Sequence, residues 1–262
     1  MTRADIAVIG GTGFYSFLED AEQHPLTTPY GDPSGPISVG TVAGRAVAFL
    51  PRHGAHHEHP PHRINYRANA WALRSFGVRQ VLAPCAVGSL SHDLAPGDVV
   101  VPDQLVDRTL GRTQSFVESG ACHVPFADPY CDRTSAAVAS AGPGLKRGGT
   151  MVVVEGPRFS TRAESRHYAA QGWSLINMTG HPEAVLAREM RQCYAAIALV
   201  TDLDAGLEAG EGVGQAEVFR RFRENLDRLR ALLADAIAVL PDPDGCPCST
   251  WADDVELTYD VP

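Results

Sequence analysis

Basic charge, lysine and long apolar runs are all scarce in this sequence of 262 residues. It has 31 acidic against 22 basic residues, a formal net charge of -9, and Lys146 as its one lysine. A chain this acidic is not expected to bind nucleic acid over a broad face. No stretch approaches the roughly 20 apolar residues of a membrane span. The N-terminal segment leads directly into a short apolar strand and has no signal-peptide core, which predicts a cytoplasmic protein.

Cysteine is also scarce, since six residues in this length are too few for a disulfide scaffold. Four are scattered along the sequence, which favours reduced thiols: Cys85, Cys122, Cys131 and Cys193. Cys246 and Cys248 form a C-x-C motif near the C-terminus. A zinc site would need more ligands, and no second closely spaced pair accompanies the motif, so no metal is predicted. Whether these two residues form a strained disulfide stays open.

The rest of the composition is that of a globular protein. Hydrophobic residues make up 44% of the chain and charged residues 20%, which is enough for a sizeable core and excludes a disordered chain. We predict strands over 5–9, 45–50, 78–83, 99–101, 151–154, 174–177 and 194–201, and helices over 66–76, 161–171, 182–192 and 215–240. This alternation favours one α/β domain with a largely parallel sheet covered on both faces, a loop over 139–149 and an irregular tail from Pro241.

Two segments that follow predicted strands have the chemistry of anion sites. The first is a glycine-rich turn over 10–13, in which backbone N–H groups and the Thr12 hydroxyl could hold a phosphate, although a plain tight turn explains it equally well. The second, over 51–62, is rich in histidine but interrupted by proline, so no helix could present two histidines to a metal. Arg52 offers a two-pronged fork and His53 a further donor, which favours an oxyanion over a metal.

Two further segments could face a ligand in the crevice where α/β proteins bind one. Phe159 and Ser160 precede a predicted helix, although the spacing of Thr161 and Glu164 is also that of a purely structural capping box. Asp202 and Asp204 follow a long apolar strand, and their spacing directs both carboxylates to the same side. They are interpreted either as a turn or helix cap, or as groups that recognise or protonate a ligand edge.

Eight segments stand in a specific order: 9–14 (IGGTGF), 51–54 (PRHG), 65–73 (NYRANAWAL), 88–90 (GSL), 102–109 (PDQLVDRT), 155–160 (EGPRFS), 176–179 (INMT) and 201–204 (TDLD). Together they resemble the trimeric 5'-methylthioadenosine phosphorylase and purine nucleoside phosphorylase family. The resemblance implies a single-domain three-layer αβα sandwich around a mixed, largely parallel sheet over 1–240. The tail over 241–262 would then pack near the pocket for the 5' substituent.

The implied reaction is phosphorolysis of S-methyl-5'-thioadenosine to adenine and 5-methylthioribose 1-phosphate, with phosphate as co-substrate and no cofactor or metal. An alternative is a purine nucleoside phosphorylase for adenosine, another 5'-modified adenosine or 6-oxopurine nucleosides. By resemblance the phosphate would lie at Thr12, Arg52, His53, Cys85, Ala86 and Thr179. The nucleoside would lie at Phe159, Ser160, Asn177, Met178, Asp202, Asp204, His123, Gln215 and Val218, with Asp202 and Asp204 as the catalytic pair.

Two positions depart from the family pattern. Cys85 stands where relatives often have threonine, which removes a hydroxyl from the phosphate pocket. Gln215 stands in the hydrophobic 5' pocket, which leaves the 5' substituent open. Relatives that act on 6-oxopurines tend to have asparagine in the stretch that contains Asp202 and Asp204, and this chain has none there, so the resemblance implies a preference for 6-aminopurines.

The resemblance also implies a homotrimer, or a dimer of trimers, in which the segment 122–131 brings His123 to a neighbour's active site. Two other functions compete with phosphorolysis. A nucleotide-binding module without chemistry would not need the paired aspartates. A nucleoside hydrolase would use a calcium-binding aspartate cluster near the N-terminus, where only Asp5 stands.

Overall fold

The computed structural model describes residues 3–207 and 212–262. The described residues form eleven strands: β1 (Ile6–Gly10), β2 (Glu22–His24), β3 (Ile37–Val42), β4 (Arg45–Pro51), β5 (Gln80–Ser89), β6 (Val99–Val101), β7 (Gln104–Arg108), β8 (Lys146–Arg147), β9 (Thr150–Val154), β10 (Leu175–Asn177) and β11 (Cys193–Leu203). They also form seven α-helices: α1 (Tyr66–Ser75), α2 (Asp132–Ser140), α3 (Arg162–Ala170), α4 (Gly180–Glu189), α5 (Gln215–Glu224), α6 (Leu226–Val239) and α7 (Pro247–Thr250).

The strands join into one mixed, largely parallel sheet. Its main path runs β2-β3-β4-β1-β5-β10-β9-β7, and β11 pairs with β5 along nearly its whole length. The neighbouring strands β4, β1, β5 and β11 are all parallel, whereas β2 with β3 and β3 with β4 are antiparallel. The carboxyl ends of the four central parallel strands therefore meet at one edge of the sheet, where α/β proteins bind ligands.

Helices cover both faces of this sheet. On one face, Leu73 of α1 and Ala187 of α4 join a core cluster with alternate residues of the central strands. On the other face, Val138 of α2 and Leu233 of α6 join a second cluster with the remaining alternate residues. This arrangement follows from strands that are apolar on both sides, as in the fully buried β1. The predicted three-layer α/β architecture is confirmed.

Some element boundaries differ from the sequence predictions. Strand β5, which was predicted to end before Pro84, continues to Ser89. Its pairing with β1 stops at Leu82, so the missing N–H group of Pro84 interrupts no hydrogen bond to β1. The helix predicted over 215–240 is two helices, separated at Asn225, whose side-chain amide donates to the Arg221 carbonyl.

Several short elements were not predicted. They are β2, β3, β7, α2, the strand β8 inside the predicted loop over 139–149, and α7 inside the tail expected to be irregular. The tail packs on the end of α4, where Trp251 donates to the Arg188 carbonyl and Tyr259 to that of Glu189. Across the ranges described above, no helix is both long and apolar enough to cross a bilayer.

Candidate active site

A cavity of about 310 Å³ opens at the carboxyl ends of the central strands. It is lined by fourteen of the fifteen residues expected at a site: Thr12, Arg52, His53, Cys85, Ala86, Phe159, Ser160, Asn177, Met178, Thr179, Asp202, Asp204, Gln215 and Val218. These come from seven separate parts of the chain, which the parallel sheet brings to one edge. His123, the remaining one, is exposed on the described chain and does not line the cavity.

Asp202 and Asp204 both line this cavity, so the prediction that the two carboxylates face the same side is confirmed. An irregularity in β11 between Val200 and Asp202 shifts the register and sets Asp202 opposite Gly88 of β5. A Cβ atom at Gly88 would lie 3.0 Å from Asp202 Oδ1 and 3.4 Å from Asp204 Cβ. Glycine at this position therefore allows both acidic residues to pack against β5.

Burial makes both carboxyl groups harder to ionise. Burial raises the pKa of Asp202 to about 6, and the negative charges of Asp204 and Glu217 act in the same direction, against a hydrogen bond from the Thr201 hydroxyl. Burial also raises the pKa of Asp204, although hydrogen bonds with Ser165 and Ser160 oppose the change. A carboxyl group with a pKa near 6 is suited to general acid catalysis close to neutral pH.

One oxygen of Asp204 has no hydrogen-bond partner within residues 3–207 and 212–262. Asp204 is only 3% exposed, yet its Oδ2 atom accepts no hydrogen bond from the residues that the structure describes. Buried carboxylate oxygens are rarely left unpaired, because the desolvation of a charged group is costly. The atom is therefore available to an N–H donor of a ligand in the cavity.

Arg52 is buried against Glu183. Its Nε and Nη2 donate to the two carboxylate oxygens at 2.7 and 2.8 Å, and Nη1 donates to the Pro84 carbonyl at 3.2 Å. Tyr194 donates a further hydrogen bond to the same carboxylate. Burial alone would lower the pKa of Arg52, but the charge of Glu183 outweighs it and raises that pKa. The two-pronged face expected to bind an anion is thus directed at Glu183, which leaves Nη1 as the side nearest the glycine-rich turn.

That turn packs closely over Arg52. A Cβ atom at Gly11 would lie 2.8 Å from Arg52 Nη1 and 2.9 Å from the Pro84 carbonyl oxygen, so no larger residue fits here. The turn closes with a hydrogen bond from the Phe14 N–H to the Gly11 carbonyl, and Thr12 lines the cavity. Backbone N–H groups, the Thr12 hydroxyl and one side of a guanidinium therefore lie near one another, a donor set that suits an oxyanion.

His53 is buried and uncharged at neutral pH. Burial, together with the positive charge of Arg52, lowers its pKa to about 3. Its Nδ1 lies 2.8 Å from the carbonyl oxygen of His59, so Nδ1 carries the ring proton and Nε2 is left as an acceptor. The donor role expected from the sequence therefore becomes an acceptor role, suited to a protonated phosphate oxygen. His57 stacks on His53 with ring centroids 4.3 Å apart.

Asn177 and Thr179 adjoin the same region from β10 and the start of α4. The Asn177 Oδ1 atom accepts from the N–H groups of Thr179 and Gly180, which fixes the side chain. Its Nδ2 is buried without a partner among the described residues. Burial raises the pKa of Cys85 to about 11, so this residue offers the cavity a neutral thiol. Asn177 therefore adds a hydrogen-bond donor to the site, and Cys85 adds a weakly polar group.

Phe159 and Ser160 line the cavity just before α3. The capping box is present, because Thr161 accepts from the Glu164 N–H and the Glu164 side chain accepts from the Thr161 N–H. The structural interpretation of this segment is confirmed, and the role of Phe159 and Ser160 in binding a ligand stays a prediction. From α5, three further residues line the cavity: Gln215, Val218 and Phe219.

Two supporting residues were missed by the sequence analysis. Glu183, 131 positions from Arg52, had no local pattern that pointed to it. Arg112 donates to the Glu155 side chain and to the carbonyl oxygens of Met178 and His181, which joins the segment before α3 to the segment before α4. Its position shortly after the PDQLVDRT segment was the one signal that could have drawn attention to it.

The histidine-rich stretch over 51–62 supplies no metal-binding group within the described ranges. Among the described residues, one group of three or more side chains could hold a metal ion. It consists of Cys131, Cys193, Cys246 and Cys248, which lie in distant parts of the sequence and are adjacent in the fold. The interpretation of these cysteines as scattered is therefore wrong for the folded chain, because it took distance in sequence for distance in space. All six cysteines are free thiols.

Comparisons with known proteins show which family this chain is similar to. A family model described as the phosphorylase superfamily matches residues 5–238. S-methyl-5'-thioadenosine phosphorylase of Mycolicibacterium smegmatis is 57% identical over 258 residues, covering 98% of this chain and 99% of that protein. Purine nucleoside phosphorylase of Streptomyces coelicolor is 56% identical over 261 residues, covering 94% of this chain and 93% of that protein.

Solved structures agree as well. Methylthioadenosine phosphorylase from Schistosoma mansoni in complex with adenine has a TM-score of 0.86 at 38% identity, covering 90% of this chain and 91% of that chain. A methylthioadenosine phosphorylase from an antarctic soil metagenomic library has a TM-score of 0.88 at 38% identity, covering 95% and 91%. The family resemblance of the eight sequence segments is confirmed.

Proposed function

Because this chain belongs to the phosphorylase superfamily, we propose that it cleaves S-methyl-5'-thioadenosine with inorganic phosphate, giving adenine and 5-methylthioribose 1-phosphate. The chain is a phosphorylase and hence a pentosyltransferase. The relatives named above support the choice of nucleoside, and the donors around Thr12 and Arg52 support phosphate as the second substrate. The proposed reaction uses no metal or organic cofactor.

The observation that carries this proposal is the pair of aspartates in the cavity, the half-buried Asp202 and the buried Asp204. Adenine presents an amino donor at position 6, whereas hypoxanthine and guanine present a carbonyl acceptor. An ionised carboxylate only accepts hydrogen bonds, so the unpartnered Asp204 Oδ2 matches the amino group and repels the carbonyl. A site built on a buried polar contact rejects a mismatched partner strongly.

Asp202 is the proposed acid. The glycosidic bond breaks through an oxocarbenium-like state, and the purine departs with negative charge that a proton at N7 neutralises. With a pKa near 6, Asp202 keeps a protonated fraction close to neutral pH and can supply this proton directly or through water. Such a group contributes typically 10²–10⁴-fold to the rate.

The phosphate end works by position and electrostatics. Phosphate lies against the glycine-rich turn, Nη1 of Arg52, Nε2 of His53, Asn177 and Thr179, which hold the nucleophile below the anomeric carbon. Because Glu183 balances the charge of Arg52, hydrogen bonds supply most of the binding. The negative charge of phosphate then stabilises the developing sugar cation.

A second candidate is a purine nucleoside phosphorylase that acts on adenosine or another 5'-modified adenosine. The name of the Streptomyces relative favours it, and so does Gln215, because a polar residue on the cavity wall suits a 5'-hydroxyl better than a methylthio group. Both candidates share the reaction and the base, and differ only at the 5' position.

We also propose that the protein is a cytoplasmic homotrimer, or a dimer of trimers. His123 is exposed and outside the cavity of its own chain, in the segment expected to reach a neighbouring subunit. In the trimer His123 would close the 5' end of the neighbour's site.

A substrate panel tests the choice of nucleoside. Methylthioadenosine, adenosine, inosine and guanosine are each assayed with phosphate, and kcat/KM is compared. Methylthioadenosine should be cleaved best and the two 6-oxopurine nucleosides poorly. Equal efficiency on inosine would contradict the assignment of Asp204, and a clear preference for adenosine would favour the second candidate.

A further inference from the structure

Four buried cysteines converge at the start of β11, the strand whose other end carries Asp202. Cys131 precedes α2 and Cys193 begins β11. Cys246 is the N-cap of α7, and Cys248 lies in the first turn of that helix. Each is 5% exposed or less, and none lines the active-site cavity. Three separate segments thus contribute to one buried cluster of thiols, which the proposed reaction does not use.

The spacing of the sulfur atoms fits a tetrahedral metal ion. All four Sγ atoms lie within 4.8 Å of one another, and those of Cys131 and Cys246 are 3.6 Å apart. Zinc–sulfur bonds of about 2.3 Å in a tetrahedron place neighbouring sulfur atoms about 3.8 Å apart. Four ligands of one kind, all buried, leave no open coordination position, as in structural rather than catalytic zinc sites.

We propose that Cys131, Cys193, Cys246 and Cys248 form a structural zinc site. Thiolate is a soft ligand that selects Zn²⁺ over the hard cations Mg²⁺ and Ca²⁺. The C-x-C motif supplies two of the four ligands, and the fold supplies the two that the sequence pattern lacked.

The surroundings offset the charge of such a site. Four thiolates with one Zn²⁺ carry a net charge of -2. The Arg188 guanidinium is buried near Cys248, donates to the carbonyl oxygens of Pro125 and Asp128, and brings one positive charge to the cluster. Cys131 stands at the N-cap of α2, where the positive end of the helix dipole favours a negative charge.

The zinc would fasten two peripheral segments to the central sheet. One is the tail, which Arg191 also holds through the Ser249 carbonyl and Asp253. The other is the segment that ends at Cys131 and contains His123. Since β11 continues from Cys193 to the aspartate pair, the metal ties both segments to the strand that carries Asp202.

The direct test is metal content. The protein is purified from zinc-supplemented cells under reducing conditions without chelator, desalted, and measured by plasma mass spectrometry. We expect about one zinc per chain. Native mass spectrometry of the same sample should show the mass of zinc with all six cysteines reduced. Cobalt substituted for zinc should give the visible bands of tetrahedral cobalt thiolate.

Variants identify the ligands. Cys248→Ser should lose the zinc and lower the melting temperature, whereas Cys122→Ser, which changes a cysteine outside the cluster, should retain it. If Cys248→Ser does not fold, the wild-type protein is tested instead by removing zinc with a chelator and then adding zinc back. The melting temperature should fall on chelation and recover when zinc is restored. Wild-type protein that stays metal-free with zinc present would overturn the proposal, and so would a mass showing disulfides among the four cysteines.

Discussion

The substitution Asp202→Asn should make the folded protein more stable while it removes activity. Asp202 has an ordinary pKa of 3.8 and a pKa of about 6 in the fold, because burial disfavours its charged form. At pH values above 6 this corresponds to a cost of at most about 3 kcal/mol for keeping the carboxylate ionised in the folded protein. Asparagine has nearly the same shape and no charge, and its carbonyl oxygen can still accept from the Thr201 hydroxyl.

The gain should depend on pH in a defined direction. Between pH 3.8 and about 6 the folded protein holds a proton on Asp202 that the unfolded chain has released, so wild-type stability falls as pH rises through this window. The variant lacks that proton. The free energy of unfolding of the variant should exceed that of wild type by about 1–3 kcal/mol at pH 8, by less at pH 5 and by nearly nothing at pH 4.

Urea unfolding at these three pH values, at matched chain concentration and without phosphate, measures the effect. Asp254→Asn, at an exposed position of the tail, is the matched control and should change stability little at any pH. The same Asp202→Asn protein should lose 10²–10⁴-fold in kcat/KM, because it cannot protonate the leaving purine. A variant that is no more stable than wild type at pH 8, or whose gain is equal at pH 4, would refute the reasoning.

Three further predictions concern the base, the phosphate and the assembly. Asp204→Asn should reduce the ratio of kcat/KM for adenosine over inosine at least tenfold, because about 1.5–3 kcal/mol of a charged hydrogen bond is lost and an amide can also donate; an unchanged ratio would separate Asp204 from base selection. Arg52→Ala should raise the phosphate KM sharply and also cost about 3–5 kcal/mol of stability, because Glu183 is left buried without its partner; a lowered nucleoside affinity at unchanged phosphate KM would contradict the assignment. Light scattering should give a trimer or hexamer, and His123→Ala should raise the KM for methylthioadenosine; a fully active monomer would exclude a shared site.

Local patterns predicted the parts of the site that local physics determines. The two aspartates share a side because a strand alternates its side chains, and the register shift of β11 between Val200 and Asp202 precedes both of them. The helix before which Phe159 and Ser160 lie begins at a capping box that the spacing of Thr161 and Glu164 specifies. Such features depend on residues within a few positions of one another.

The features that were missed depend on contacts across the fold. Glu183 takes the guanidinium face of Arg52 from a helix 131 positions away, which changes how Arg52 can meet an anion. The continuation of β5 through Pro84 depends on where its neighbour β1 stops. The four cysteines meet because the tail returns to the start of β11. No spacing rule along the sequence contains this information.

Phosphate dependence tests the central claim most directly. Methylthioadenosine is incubated with the enzyme in buffer freed of phosphate, and then with phosphate added, while adenine release is followed by absorbance and the sugar product by phosphorus NMR. Cleavage should be undetectable without phosphate, and with phosphate each adenine should be matched by one 5-methylthioribose 1-phosphate. Adenine release at the same rate without phosphate, with free methylthioribose as product, would show that water is the nucleophile and would contradict the account.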